Sequence, residues 1–164
     1  MPALRFRPLD PAQDRAAVLD LLTEAQDYYL LWLGRAPDDR DVEEVFTAGP
    51  PGCDPADSHR IGLYVNDQLS GVAELSFGFP TGADAYLGLM ILAPRARGEG
   101  IGEIFYDHIE ALARKSGAAQ LYLGVLEANP RGRAFWERMG FEDTGVTRED
   151  AETGHRVHRL VKDL

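Results

Sequence analysis

A chain of 164 residues, 45% hydrophobic and 27% charged, is long enough to bury one sizeable core and short for two, so one domain spanning residues 1–164 is expected. Its formal net charge of −10 excludes the basic stripe of a nucleic-acid surface, and no apolar run approaches the ~20 residues of a membrane-spanning helix. The N-terminal MPALRFRPLD lacks the apolar core of a secretory signal, and a cytoplasmic protein that touches neither nucleic acid nor membrane is expected.

In chain order, Leu4 and Phe6 alternate with Arg5 and Arg7 as in a strand, and Asp10-Pro11 reads as the start of a helix. One helix is predicted from there to Gly34, because Val18, Leu21, Leu22, Ala25, Tyr28, Tyr29 and Trp32 recur at three- and four-residue steps. PDDRDVEEVF follows as a short acidic helix. The Pro/Gly-rich loop from Gly49 to Pro55 carries the single cysteine, Cys53, with no second Cys or His at ligand spacing; neither a disulfide, a zinc site nor an activated nucleophile is read there. RIGLYV and LSGVAELSF are strands joined by a hairpin turn at Asn66-Asp67, and AYLGLMIL, nearly continuous in apolar residues, is predicted to be a strand buried on both faces.

From Gly102 the period becomes helical, with Ile104, Phe105, Ile109, Leu112 and Ala113 on one face and Gly117 as the stop. AQLYLGVL is a strand, Pro130 opens a helix that ends at Gly140, and FEDTGVTRE with HRVHRLVKDL reads as a closing hairpin. The order predicts a mixed sheet covered by helices on both faces.

Between the apolar strand and the long helix lies PRARGEGIG, Pro94 to Gly102. Backbone N–H groups of a glycine loop at a helix N-terminus form an anion site, to which Arg95 and Arg97 are expected to add positive charge. A nucleoside-triphosphate loop requires Lys-Ser/Thr after the last glycine, whereas Glu103 and Ile104 stand there. A dinucleotide loop requires G-x-G-x-x-G and a later acidic residue, whereas the spacing here is G-x-G-x-G and the next strand offers Gln120. The glycines alone leave open a phosphate ligand or a plain turn.

The wider segment resembles the GNAT superfamily of acyl-CoA-dependent N-acyltransferases. Arg97, Gly100 and Gly102 match the family's Arg/Gln-x-x-Gly-x-Gly/Ala loop, and Asn129, Trp136, Gly140 and Phe141 match its later asparagine and aromatic-x-x-x-Gly-Phe ending. The resemblance implies a mostly antiparallel sheet with a splayed strand pair forming the acyl-CoA cleft. It implies acetyl-CoA as acyl donor, its diphosphate held by the amides of Arg97, Gly98, Glu99, Gly100, Ile101 and Gly102. The strand Met90, Ile91, Leu92 would pair with the pantetheine arm, a backbone N–H near Leu92 would polarise the thioester, and Asn129 and Trp136 would flank the arm. No metal is implied, and a homodimer is left open.

An ammonium acceptor must lose a proton before attack, so a carboxylate is expected near the cleft, and Glu74 and Glu127 are the candidates. Trp136 stands where many family members carry a tyrosine that protonates the leaving thiolate, which leaves Tyr122 as substitute or no acid at all. His108 reads as a helix-face residue, and His155 and His158 as parts of a solvated strand. Asp38, Asp39, Asp41, Glu43 and Glu44 near Tyr28, Tyr29 and Trp32 suggest a small cationic amine as acceptor. The rival reading is an acyl-CoA-binding or sensing module without turnover.

Overall fold

The computed structural model describes residues 2–164. Alternation, turn residues and helix stops produce seven strands: β1 (Leu4–Pro8), β2 (His59–Val65), β3 (Gln68–Phe77), β4 (Ala85–Leu92), β5 (Gln120–Leu126), β6 (Glu142–Glu149) and β7 (Arg156–Asp163). They form one sheet in the order β1-β2-β3-β4-β5-β7-β6, antiparallel at every pair except β4 with β5. The β2–β3 hairpin turns at Asn66 and Asp67 with φ of 49° and 65°, the left-handed pair that a two-residue hairpin demands.

Helices α1 (Arg15–Glu24), α2 (Gln26–Leu33) and α3 (Asp39–Thr47) cover one face of the sheet, where Val18, Leu21, Leu22, Tyr29 and Val45 pack on Tyr64, Val72 and Ile91. Helices α4 (Ile101–Lys115) and α5 (Pro130–Arg138) cover the other, with Phe105, Tyr106 and Ile109 buried against Leu63, Leu75, Leu123 and Leu160. His108 stacks on Phe6 with ring centroids 4.1 Å apart, as a helix-face histidine should.

Four sequence expectations change. The single helix predicted from Pro11 begins only at Arg15 and breaks at Ala25. The Asp10 carbonyl accepts from the N–H groups of Gln13 and Asp14, closing a turn that Arg7 pins to β1 through the Asp14 carboxylate (2.9 and 2.8 Å). Ile104 is 45% exposed rather than on the buried face of α4. The apolar run of β4 is not buried on both faces: Gly88 is exposed and Leu89, Met90 and Leu92 are only half-buried, because β4 loses its neighbour on one side. His155 precedes β7 instead of lying on it.

The Arg7 guanidinium holds the Asp14 carboxyl below its ordinary range, against the burial that would raise it. A depressed folded-state value contributes stability above the unfolded pKa of about 3.9, and that contribution is lost as pH falls through the folded value. Asp14→Asn is therefore expected to cost about 1–3 kcal/mol in urea unfolding at pH 7, with the deficit shrinking below about pH 4; a deficit independent of pH would contradict this role for the pair.

Candidate active site

The ladder between β3 and β4 pairs Glu74 with Leu89 and Leu75 with Leu87, so Gly88 is one residue too many on β4 and forms a bulge. Its effect is visible in the packing. Ala85 and Leu87 lie in the core under α4, whereas Leu89, Ile91 and Ala93 lie in the core under α1–α3; unbroken alternation would have kept all five on one face. On its other edge β4 meets β5 only at Ala85↔Leu121, Tyr86↔Tyr122 and Leu87↔Leu123. Beyond Leu87, β4 follows β3 to Leu92 while β5 follows β7 to Leu126, and the two strands diverge into a gap. The Ala93 N–H donates to the Ser70 carbonyl (2.8 Å), so antiparallel alternation turns the N–H groups of Met90 and Leu92 the other way, into the gap.

The gap leads to the glycine loop. Gly98 and Gly100 have φ of 88° and 79°, and a Cβ on either would meet nothing within 4 Å, so the loop's amides are open to an approaching group. Gly100 is the N-cap of α4 and offers no side-chain acceptor, leaving first-turn N–H groups of a 15-residue helix without an intramolecular cap. Gly102 matters for packing instead. A Cβ there would stand 3.2 Å from Leu92 Cδ1 and 3.5 Å from the Phe135 ring, so its absence lets α4 approach β4 and α5. Arg95 and Arg97 do not add free charge to this site. The Arg97 guanidinium donates to Asp27 (2.7 and 3.2 Å) and to the Leu92 carbonyl (3.1 Å), and Arg95 donates to Glu24, Ser70 Oγ and the Leu69 carbonyl. Backbone amides and the helix terminus carry the anion-attracting field, and the two arginines brace the loop.

At the apex of the divergence sits Glu74. It is 4% exposed, and one of its oxygens lies in the space a Cβ on Gly88 would take, so any side chain at the bulge would displace the carboxyl. Ser76 Oγ donates to the other oxygen, and Ser58 Oγ lies 2.8 Å from Ser76 Oγ. Burial pushes the Glu74 carboxyl above its ordinary range, with the Ser76 hydrogen bond and Arg60 opposing. On the same face, Tyr86 lays its hydroxyl over Gly124, 3.1 Å from where a Cβ would be. Burial raises the Tyr86 phenol, and raises that of Tyr28 on α2 to about 12 with Tyr86 contributing. Trp32 Nε1 donates to Asp150 Oδ2 (3.1 Å), tying α2 to the β6–β7 turn across this side of the gap.

Residues 17–141 match the sequence profile of the acetyltransferase (GNAT) family. The chain belongs to that family. Solved structures of the same fold include an acetyltransferase from Thermus thermophilus, with 22% identity, TM-score 0.75 and coverage of 99% of this chain and 97% of that one. The ribosomal-protein-S18-alanine N-acetyltransferase of Escherichia coli aligns at 16% identity and TM-score 0.71, covering 98% and 94%. The PaiA N-acetyltransferase of Thermoplasma acidophilum, solved in complex with coenzyme A, aligns at 16% identity and TM-score 0.70, covering 99% of each chain. Acyl-CoA-dependent acetyl transfer is the activity class of the GNAT family.

The remaining GNAT-motif and candidate residues fall into distinct places. Glu127 is 62% exposed and pairs with His158 (3.3 Å). His158 stands opposite Val125, which packs under α4, so Glu127 lies on the other face of the sheet from Glu74. Tyr122 points its hydroxyl back along its strand, to Gln120 Oε1 (2.9 Å), away from the divergence. Asn129 caps α5 by accepting from the Gly132 N–H (3.0 Å), just past the end of β5. Trp136 packs edge-on against Tyr106 and Phe141, and it is the neighbouring Phe135 that reaches Gly102. The acidic segment is largely consumed internally: Asp38 and Asp41 bind Arg35, Asp38 also binds Arg40, and Glu43 binds Arg15. Cys53 Sγ donates to the Phe77 carbonyl (3.1 Å), and burial raises its thiol, the reverse of an activated nucleophile.

Sequence reading missed Tyr86 and the bulge at Gly88. A tyrosine two residues before a lone glycine in an apolar run was the available signal, and nothing in the one-dimensional pattern showed which strand edge would be left open. If the Glu74 carboxyl fills the space at Gly88, Gly88→Ala is expected to destabilise by about 1–3 kcal/mol, lowering Tm by about 2–10 °C. In a Glu74→Ala background the same change is expected to be nearly neutral. Equal losses in both backgrounds would show that the carboxyl does not hold the bulge.

Proposed function

We propose that residues 1–164 form a single acyltransferase domain that moves an acetyl group from acetyl-CoA to a small primary amine by direct attack in a ternary complex. One observation carries this reading: the open edge of β4 from Gly88 to Leu92 runs straight to the uncapped N-terminus of α4. The N–H groups of Met90 and Leu92 suit the amide carbonyls of a pantetheine arm lying as an added strand, and the amides from Arg97 to Gly102 suit a diphosphate. Ile91 supports that edge from the core, and Asn129 stands near the far wall of the gap.

Bound there, a thioester supplies the acyl carbon, to which the amine nitrogen bonds as the C–S bond breaks and its electron pair leaves on sulfur. Glu74 is the base of choice over Glu127, because it is buried at the divergence and its raised pKa brings it closer to neutrality. Tyr86 replaces Tyr122 as the phenol facing the reacting region. An ammonium acceptor is cationic at neutral pH, but the paired state of Asp38, Asp41 and Glu43 removes the argument that this segment recruits it. The Trp32–Asp150 tie narrows the approach and favours a small molecule over an alanine of a ribosomal protein, the acceptor named for the E. coli neighbour. The alternative, a sensor without turnover, draws its support from the lack of a phenol on α5, where Trp136 lies half-buried against Tyr106 and Phe141.

Thiol release from acetyl-CoA over a panel of amines separates the two. With an acceptor in hand, kcat/KM is expected to fall on the acid side as pH drops through the raised pKa of Glu74, because the protonated carboxyl cannot take a second proton. Glu74→Gln is expected to lower kcat by about 10²–10⁴-fold and to abolish that limb. Coenzyme binding without thiol release would overturn the enzyme reading, and an unaltered pH profile in Glu74→Gln would overturn the assignment of the base.

A further inference from the structure

Beside Tyr86, on the face that carries Glu74, a crevice of about 20 Å³ is lined by Tyr86, Gly124, Arg148 and Arg159 among others. Register confirms the grouping: Arg159 stands opposite Gly124 and Arg148 opposite Val157, which is itself in contact range of Gly124. Most arginines of this chain meet a carboxylate: Arg7, Arg35, Arg95, Arg97 and Arg133, among others, each bind one. Arg148 and Arg159 belong to the minority that do not, and they are the two that line one crevice. Among the described residues, neither Arg148 nor Arg159 has a carboxylate within 4.0 Å. Arg159 rests over the Phe79 ring (5.1 Å to its centroid), which orients a guanidinium without neutralising it. Asp150, two residues beyond Arg148, holds Trp32 Nε1 and the N–H groups of Glu152 and Thr153 instead.

We propose that this crevice receives the carboxylate of the acceptor, so that the substrate class is an amino acid or a similar small amine bearing a carboxyl group. Arg148 and Arg159 donate to the carboxylate oxygens, while the amine lies toward Glu74 on the other side of Tyr86. The inference rests on the amine acetyltransferase reading and deepens it. Two charge-assisted contacts on one carboxylate, in a crevice partly shielded from water, give both affinity and a fixed orientation for the amine. They also explain how a protein of net charge −10 can accept a substrate that carries an anionic group: the local field at the crevice, rather than the overall one, meets it.

The test uses three acceptors of one carbon skeleton: an amino acid, its carboxamide and the amine lacking the carboxyl group. Thiol release is followed with the unmodified protein, Arg148→Gln and Arg159→Gln. In the unmodified protein the carboxylate acceptor is expected to be favoured by about tenfold or more in kcat/KM, through KM, and in either variant the preference is expected to fall to within about threefold. Equal kcat/KM for the three acceptors in the unmodified protein would overturn the proposal while leaving the acetyltransferase reading intact. Undiminished preference in both variants would overturn the assignment of these arginines. No thiol release with any amine would overturn the acetyltransferase reading and this inference with it.

Discussion

The whole site depends on one extra residue in β4. A bulge at Gly88 turns the strand over, so that the residues before it face α4 and those after it face α1–α3, and it separates β4 from β5 within a single step of the sheet. A sheet interior does not normally carry unpaired N–H and C=O groups, and leaving part of an inner strand edge unpaired is stable only where water or a ligand can reach it. The bulge therefore creates the open edge and places the buried carboxyl of Glu74 at its apex, since that carboxyl lies in the space that any Cβ at Gly88 would take.

The surrounding elements hold the two walls of this divergence at fixed positions. Asp27 and Glu24, on either side of the α1–α2 break, grip Arg97 and Arg95, which in turn bind the Leu92 and Leu69 carbonyls, so the glycine loop is braced from outside while its amides stay open. Trp32 reaches the β6–β7 turn, and the 3-10 turn from Pro94 to Ala96 joins strand to loop. The loop arginines are thus structural ties, and anion attraction falls to backbone dipoles, which hold their direction without cost in side-chain entropy.

Much of this was legible in the sequence. The glycine loop, the helix opened by Pro130 and stopped at Gly140, and the hairpin at Asn66-Asp67 depend on local backbone chemistry, and local chemistry is written in consecutive residues. What was illegible depends on pairing between distant segments. A continuous apolar run cannot reveal that β4 loses its neighbour halfway along, nor can spacing place Glu74 and Glu127 on opposite faces, because the bulge, the parallel pairing with β5 and the closing hairpin decide that together. The acidic segment misled because its carboxylates look free in a list of charges: Arg35 and Arg40 pair with Asp41 and Asp38 from within or just before the segment, and Arg15 reaches Glu43 from α1.

The open edge of β4 is the proposed seat of the acyl donor. Amide hydrogen exchange of the full chain, resolved by residue with and without coenzyme A, addresses it most directly. Slowed exchange at Met90 and Leu92, together with the amides from Gly98 to Gly102, is the result this account requires. Ile91 already faces β3 and should change little. Unchanged exchange at Met90 and Leu92 in the presence of saturating coenzyme A would contradict it.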